Sequence, residues 1–101
     1  MTQVTTHVLD TAAGVPASGV TVTLLEGDEG GGWRPLGSGT TDDDGRLTAL
    51  PSVENGLHRL EFQTASAFFA QVVVTFRVAG EAHLHVPLLI SPFGYTVYRG
   101  S

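Results

Sequence analysis

Apolar and polar residues alternate along most of the chain with a period of two. Val20, Val22 and Leu24 share one face of the segment 20–25, with Thr21 and Thr23 on the other. Leu60 and Phe62 oppose Arg59, Glu61 and Gln63, and Val72, Val74, Phe76 and Val78 oppose Thr75 and Arg77. Successive side chains of a strand point to opposite faces, so the pattern predicts strands half buried in a two-layer fold. Eight strands are predicted, at about residues 4–10, 20–26, 33–41, 46–50, 57–64, 69–78, 83–91 and 94–100. Turn-forming stretches separate them, among them Gly14 to Pro16, Asp42-Asp43-Asp44-Gly45, Glu54-Asn55-Gly56, Ala79-Gly80 and Ser91-Pro92. Twelve valines and twelve threonines against one methionine favour strands. The best helical window, near residues 65–70, is short. The expected fold is all-β, an antiparallel two-sheet β-sandwich forming one domain over residues 1–101.

One strand stands apart. In 83–90, Leu84, Val86, Leu88 and Ile90 make a clean core face, which turns His83, His85, Pro87 and Leu89 outward. Two histidines, a proline and a leucine are neither ordinary solvated surface nor core. Such a face predicts a covered surface, either a ligand cleft or a subunit interface.

Composition narrows the chemistry. The 101 residues carry five basic and ten acidic groups, a net charge of −5. Nucleic acid and anionic membranes call for a basic face, so neither is the expected partner. There is no cysteine, which removes thiolate nucleophiles and Cys-ligated metal. All five basic residues are arginines (34, 46, 59, 77 and 99), so Schiff-base and P-loop chemistry are excluded as well. The longest apolar runs, about ten residues, fall short of the ~20 needed to span a bilayer. No basic region precedes an apolar stretch near residue 1, so a soluble cytoplasmic protein is expected.

Three features carry candidate chemistry. His7 lies inside the first strand, where the plain reading is an imidazole bonded to a neighbouring backbone group. Asp42-Asp43-Asp44-Gly45-Arg46 reads plainly as a solvated acidic turn with an arginine facing its carboxylates. His83-x-His85 is followed by an aromatic tail ending in Tyr98-Arg99-Gly100-Ser101. With His7 as a third ligand, His83 and His85 would also suit zinc, although no carboxylate completes a recognised spacing. A serine triad lacks its Gly-x-Ser-x-Gly elbow.

Taken together these motifs resemble the transthyretin-related family, and within it the 5-hydroxyisourate hydrolases. The resemblance runs through Thr5-Thr6-His7-Val8-Leu9-Asp10-Thr11, Thr40-Thr41-Asp42-x-Asp44-Gly45-Arg46 and Arg59-Leu60-Glu61-Phe62. It continues through His83-x-His85-Val86-Pro87-Leu88-Leu89 to the closing Tyr98-Arg99-Gly100-Ser101, which is similar to the hydrolases and unlike the hormone carriers. The resemblance implies a transthyretin-like sandwich, assembled as a homotetramer with sites in the channel between dimers. It implies hydrolytic opening of 5-hydroxyisourate to OHCU, a step of urate breakdown, with neither metal nor cofactor. His7, Arg46 and His85 match the family's catalytic positions, and Tyr98, Arg99, Gly100 and Ser101 its substrate-binding positions. His83 and His58 do not, and are read as a flank and a surface residue. A carrier of a small aromatic ligand in the same channel is the alternative. The chain departs from the family pattern between Thr64 and Phe68, where a longer segment with a short helix is usual, so little or no helix is expected.

Overall fold

The computed structural model describes residues 1–101 and contains nine strands and no helix. In chain order these are β1 (Gln3–Asp10), β2 (Val15–Pro16), β3 (Thr21–Gly27), β4 (Trp33–Thr40), β5 (Arg46–Leu47), β6 (Gly56–Gln63), β7 (Val72–Val78), β8 (His83–Ser91) and β9 (Gly94–Val97). One sheet runs β2-β1-β8-β9, with β5 also paired to β1; the other runs β4-β3-β6-β7. Between them lie fifteen buried apolar residues, among them Val4, Val8, Leu24, Leu60, Phe62 and Leu88. The inward faces are those that alternation assigned. Val22, Leu24, Leu60 and Phe62 have no exposed surface, whereas Thr21, Gln63, Thr75 and Arg77 face water.

Three local differences from the sequence-based expectation have physical causes. Every strand pair is antiparallel except β1 with β8, which run parallel over eight residue pairs from Gln3↔His83 to Asp10↔Ile90. Alternation reports which face a side chain takes and is silent on the direction of its neighbour. The last strand stops at Val97 rather than continuing to 100. Here the ladder meets Pro87. The His85 carbonyl points toward the tail, since Gly100 N–H donates to it at 2.8 Å. Alternate residues of a strand aim their backbone groups to the same side, so the nitrogen of Pro87 faces the tail too and has no proton to give. Pairing therefore breaks after Leu88↔Val97 and resumes as a single bridge at His85↔Gly100.

His58 is the third difference. It is not a surface residue but is 2% exposed. It shares the inward parity of Leu60 and Phe62. Its Nδ1 lies 3.2 Å from the Leu25 carbonyl and its Nε2 2.8 Å from the Glu54 carbonyl, so burial leaves neither nitrogen without a neighbour. Residues 65–70, the best helical window of the sequence, form part of a tight turn, in line with the expectation of little or no helix. Thr64 Oγ1 donates to the Phe69 carbonyl at 2.6 Å, and Phe69 N–H donates to Ser66 Oγ at 2.9 Å.

The acidic segment before β5 is a built turn. Asp42 Oδ1 accepts from the backbone N–H of Asp44 at 2.9 Å and of Arg46 at 3.0 Å. Gly45 closes the turn with φ +75°, and its carbonyl accepts from Val8 N–H at 2.7 Å, which docks the loop against β1. A Cβ on Gly45 would lie 2.4 Å from the Val8 carbonyl oxygen. Gly45→Ala is therefore expected to cost at least ~1 kcal/mol from backbone strain and displacement of β1 together. Thermal melting should show a midpoint lowered by several degrees, and an unchanged midpoint would mean that the loop relaxes freely.

Candidate active site

Parity and register gather the candidate residues on the outer face of the first sheet. His7 pairs with Arg46 across β1 and β5, while Thr6 pairs with Leu47 facing the core. In the parallel ladder Thr5 pairs with His85 and His7 with Pro87. The imidazoles of His7 and His85 therefore stand on neighbouring strands, staggered by two residues, with the Arg46 guanidinium on the far side of His7.

Each group is held differently. His7 Nε2 lies 2.8 Å from the Asp44 carbonyl oxygen. A carbonyl only accepts, so Nε2 carries the proton and Nδ1 is the nitrogen with a free lone pair whenever the ring is neutral. Arg46 has no carboxylate partner, because the structure's single ion pair joins Arg34 to Glu26. The plain reading of the acidic turn thus fails at Arg46, since Asp42 spends its carboxylate on backbone N–H groups. A guanidinium left unpaired beside an imidazole is a planar donor fork available to carbonyl or oxyanion oxygens.

His85 sits deepest. Its Nδ1 is 2.8 Å from Thr5 Oγ1, which leaves Nε2 as the nitrogen available to a ligand. Burial lowers its pKa below the usual histidine value, and the charges of His83, His7 and Arg46 lower it further. His85 therefore stays neutral under conditions where an exposed imidazole begins to take up a proton. The tail packs directly on this ring, where a Cβ at Gly100 would fall 2.7 Å from His85 Cδ2 and 3.2 Å from Pro87 Cγ. Only glycine lets the backbone lie that close.

The tail is split by the same break in the ladder. Gly100 stays with His85, whereas Tyr98 and Arg99 line a cavity of about 250 Å³ with Val74, Phe76, Leu84 and Glu81. The Ala79 N–H donates to the Glu81 carboxylate at 2.6 Å and holds it below the usual carboxylate range, with the Arg99 charge a smaller contribution. Ser101 is exposed. A second cavity of about 260 Å³, lined by Val8, Val20, Ala65, Ser66, Ile90 and others, opens at the other end of the sandwich. Neither cavity includes His7, Arg46 or His85, so within one chain these groups stand on an open face. No three His, Cys, Asp or Glu side chains come together as a metal-ligand set. His83 and His85 each direct a ring nitrogen to Thr5 instead.

Thr5 is the residue that sequence reasoning missed as a site group. Its hydroxyl lies 2.8 Å from both His83 Nε2 and His85 Nδ1, which also makes His83 more than a flank. The available signal was parity, since Thr5 and His7 share a face; what was lacking was the knowledge that β8 lies beside β1.

Residues 4–100 match the family model described as the HIUase/Transthyretin family. The chain is 42% identical over 117 residues to the 5-hydroxyisourate hydrolase of Caulobacter vibrioides, covering all of both chains. The solved structure of Klebsiella pneumoniae 5-hydroxyisourate hydrolase superimposes with a TM-score of 0.85 at 34% identity, again over all of both chains. Sea bream transthyretin in complex with thyroxine gives a TM-score of 0.89 at 28% identity, over 97% of this chain and 94% of that one.

The electrostatics can be measured directly. In an NMR titration the ring protons of His85 should report a pKa below the ordinary ~6.5. Arg46→Gln removes one of the charges that disfavour the imidazolium, so the midpoint should move up. A midpoint at or above the ordinary value in the unmodified protein would overturn the account of burial and charge.

Proposed function

The chain belongs to the HIUase/Transthyretin family, and from that premise we propose that it hydrolyses 5-hydroxyisourate, opening the ring in a step of urate degradation. The observation that carries this reading is the outer face of the first sheet, where a half-buried imidazole of lowered pKa, a second imidazole and an unpaired guanidinium stand side by side.

The substrate is a flat, oxygen-rich ring with a reactive carbonyl. Hydrolysis needs an activated water, a partner for the developing oxyanion and a proton for the leaving nitrogen. His85, held neutral, accepts the proton of the attacking water at Nε2 as the new C–O bond forms. Arg46 faces the carbonyl oxygen as its charge develops, a role worth about 10²–10³ in rate for a single donor. The C–N bond then breaks as the nitrogen takes a proton, supplied by the Nε2–H that His85 gained in the first step. His7, with Nε2–H fixed on the Asp44 carbonyl, presents Nδ1 as an acceptor that orients the water or a ring N–H. Positioned proton transfer of this kind contributes about 10²–10⁴.

An open face does not exclude water or grip both sides of a flat ring. Leu89 is apolar and only half-buried on this face, which suits coverage by another copy of the chain, and we assign the working unit as a homotetramer. Pro87, which alternation also turned outward, is already buried within the chain against Gly100. In that unit Tyr98, Arg99, Gly100 and Ser101 bind substrate, with Gly100 seated on His85 and the others closing the pocket from the chain's end.

The test is spectrophotometric. Urate and urate oxidase generate 5-hydroxyisourate, whose near-ultraviolet absorbance should decay faster with the protein present. His7→Ala, Arg46→Ala and His85→Ala should each slow that decay by about 100-fold or more. Removing Arg99 to Ser101 should cost at least about tenfold with the protein still soluble, while His58→Ala should act on stability through its core position. A protein that binds a small aromatic ligand yet leaves the decay rate unchanged is a carrier instead.

A further inference from the structure

Thr5 is 6% exposed, and its hydroxyl is flanked by two ring nitrogens at 2.8 Å, His83 Nε2 and His85 Nδ1. The two rings are 6.4 Å apart and inclined at 39°, so the hydroxyl is their one direct link. A hydroxyl has a single proton to donate. Between two neutral imidazoles it satisfies all three groups only by donating to one and accepting from the other. If both rings donated to it, its own proton would be buried without an acceptor, at a cost of about 1–3 kcal/mol.

Two proton arrangements remain. In the first, His85 Nδ1–H donates to Thr5, Thr5 donates to His83 Nε2, and His85 Nε2 presents a bare lone pair. In the second, His83 Nε2–H donates to Thr5, Thr5 donates to His85 Nδ1, and His85 Nε2 carries a proton. The outward nitrogen of His85 is a base in one arrangement and an acid in the other. The exposed His83 decides which by where it keeps its proton.

We propose that Thr5 and His83 are positioning residues that set the tautomer of His85 and link it to solvent through a hydroxyl relay. This rests on the reading of His85 as the group that takes the proton of the attacking water. The protons balance. When His85 Nε2 takes a proton from water, its Nδ1 proton passes to Thr5 Oγ1, the Thr5 proton passes to His83 Nε2, and His83 releases its Nδ1 proton to solvent. The reverse sequence restores the base for the next turnover. The charges of His83, His7 and Arg46 all disfavour a lasting imidazolium at His85, so a route that carries the charge away suits the site.

The test compares Thr5→Val, which keeps shape and removes the hydroxyl, with Thr5→Ser, which keeps the hydroxyl. Thr5→Val should lower kcat by at least about tenfold with KM within about twofold of the unmodified protein. Thr5→Ser should restore kcat to within about threefold, and the exposed substitution His83→Ala should lose less than His85→Ala but more than the serine variant. Nitrogen-15 spectra of the imidazoles should show His85 exchanging between tautomers in the unmodified protein and held in one by Thr5→Val. Equal losses for valine and serine, or full kcat in Thr5→Val, would overturn the relay. If the unmodified protein has no hydrolase activity, the functional reading fails, and the nitrogen-15 comparison still decides whether Thr5 couples the rings.

Discussion

The parallel pairing of β1 with β8 is the constraint from which the rest follows. It joins residues 3–10 to residues 83–90 in one uninterrupted register, and Thr6 Oγ1 reinforces it by donating to the Val86 carbonyl at 2.6 Å. Because side chains alternate, a slip of one residue would expose Leu84, Val86 and Leu88 and drive His83 and His85 into the core. The burial that holds Leu88 inward is thus also what aims His85 outward. Hydrophobic packing, which has no direction of its own, sets the direction of the chemistry.

Arg46 reaches the same face by a different device. Three consecutive carboxylates beside an arginine would ordinarily compete for it. Here Asp42 is occupied by two backbone N–H groups, Gly45 anchors the loop to β1, and the Asp44 carbonyl fixes His7. One turn therefore fixes the tautomer of His7 and delivers an unpaired guanidinium beside it. Its acidic residues contribute through geometry more than through their charge.

Much of this was legible in the sequence, and the limits are physical. Alternation assigned the inward residues of β3, β6, β7 and β8 because burial of one sheet face leaves a period of two in the chain. It carried the signal for His58 too, which lies two residues before Leu60, but the family resemblance gave this histidine no role and it was read as a surface residue. What alternation cannot carry is the identity and direction of a neighbouring strand. Thr5 therefore looked like one threonine among twelve until β8 was placed beside it. The early end of β9 was written in Pro87, although only the direction of the His85 carbonyl shows that the missing donor faces the tail. His7, Arg46 and His85 were found through family resemblance, and the structure adds how each is held.

The backbone alone cannot decide between an enzyme and a carrier, since this fold superimposes as well on a thyroxine-bound transthyretin as on a hydrolase. The two uses can share a scaffold because alternate residues of β1 and β8 divide the work. Inward positions hold the sandwich together, and outward ones can change with little effect on the core. Pro87 and Thr5 are exceptions: Pro87 is buried against the tail at Gly100, and Thr5 is the one that carries a polar group. It points outward by parity yet is buried, because two imidazoles cover it. Its hydroxyl must find a partner there, and each imidazole it engages gains a fixed orientation in return. The orientations of His83 and His85 are thereby interdependent. The face behaves as one hydrogen-bonded unit, with a tautomer set collectively rather than ring by ring.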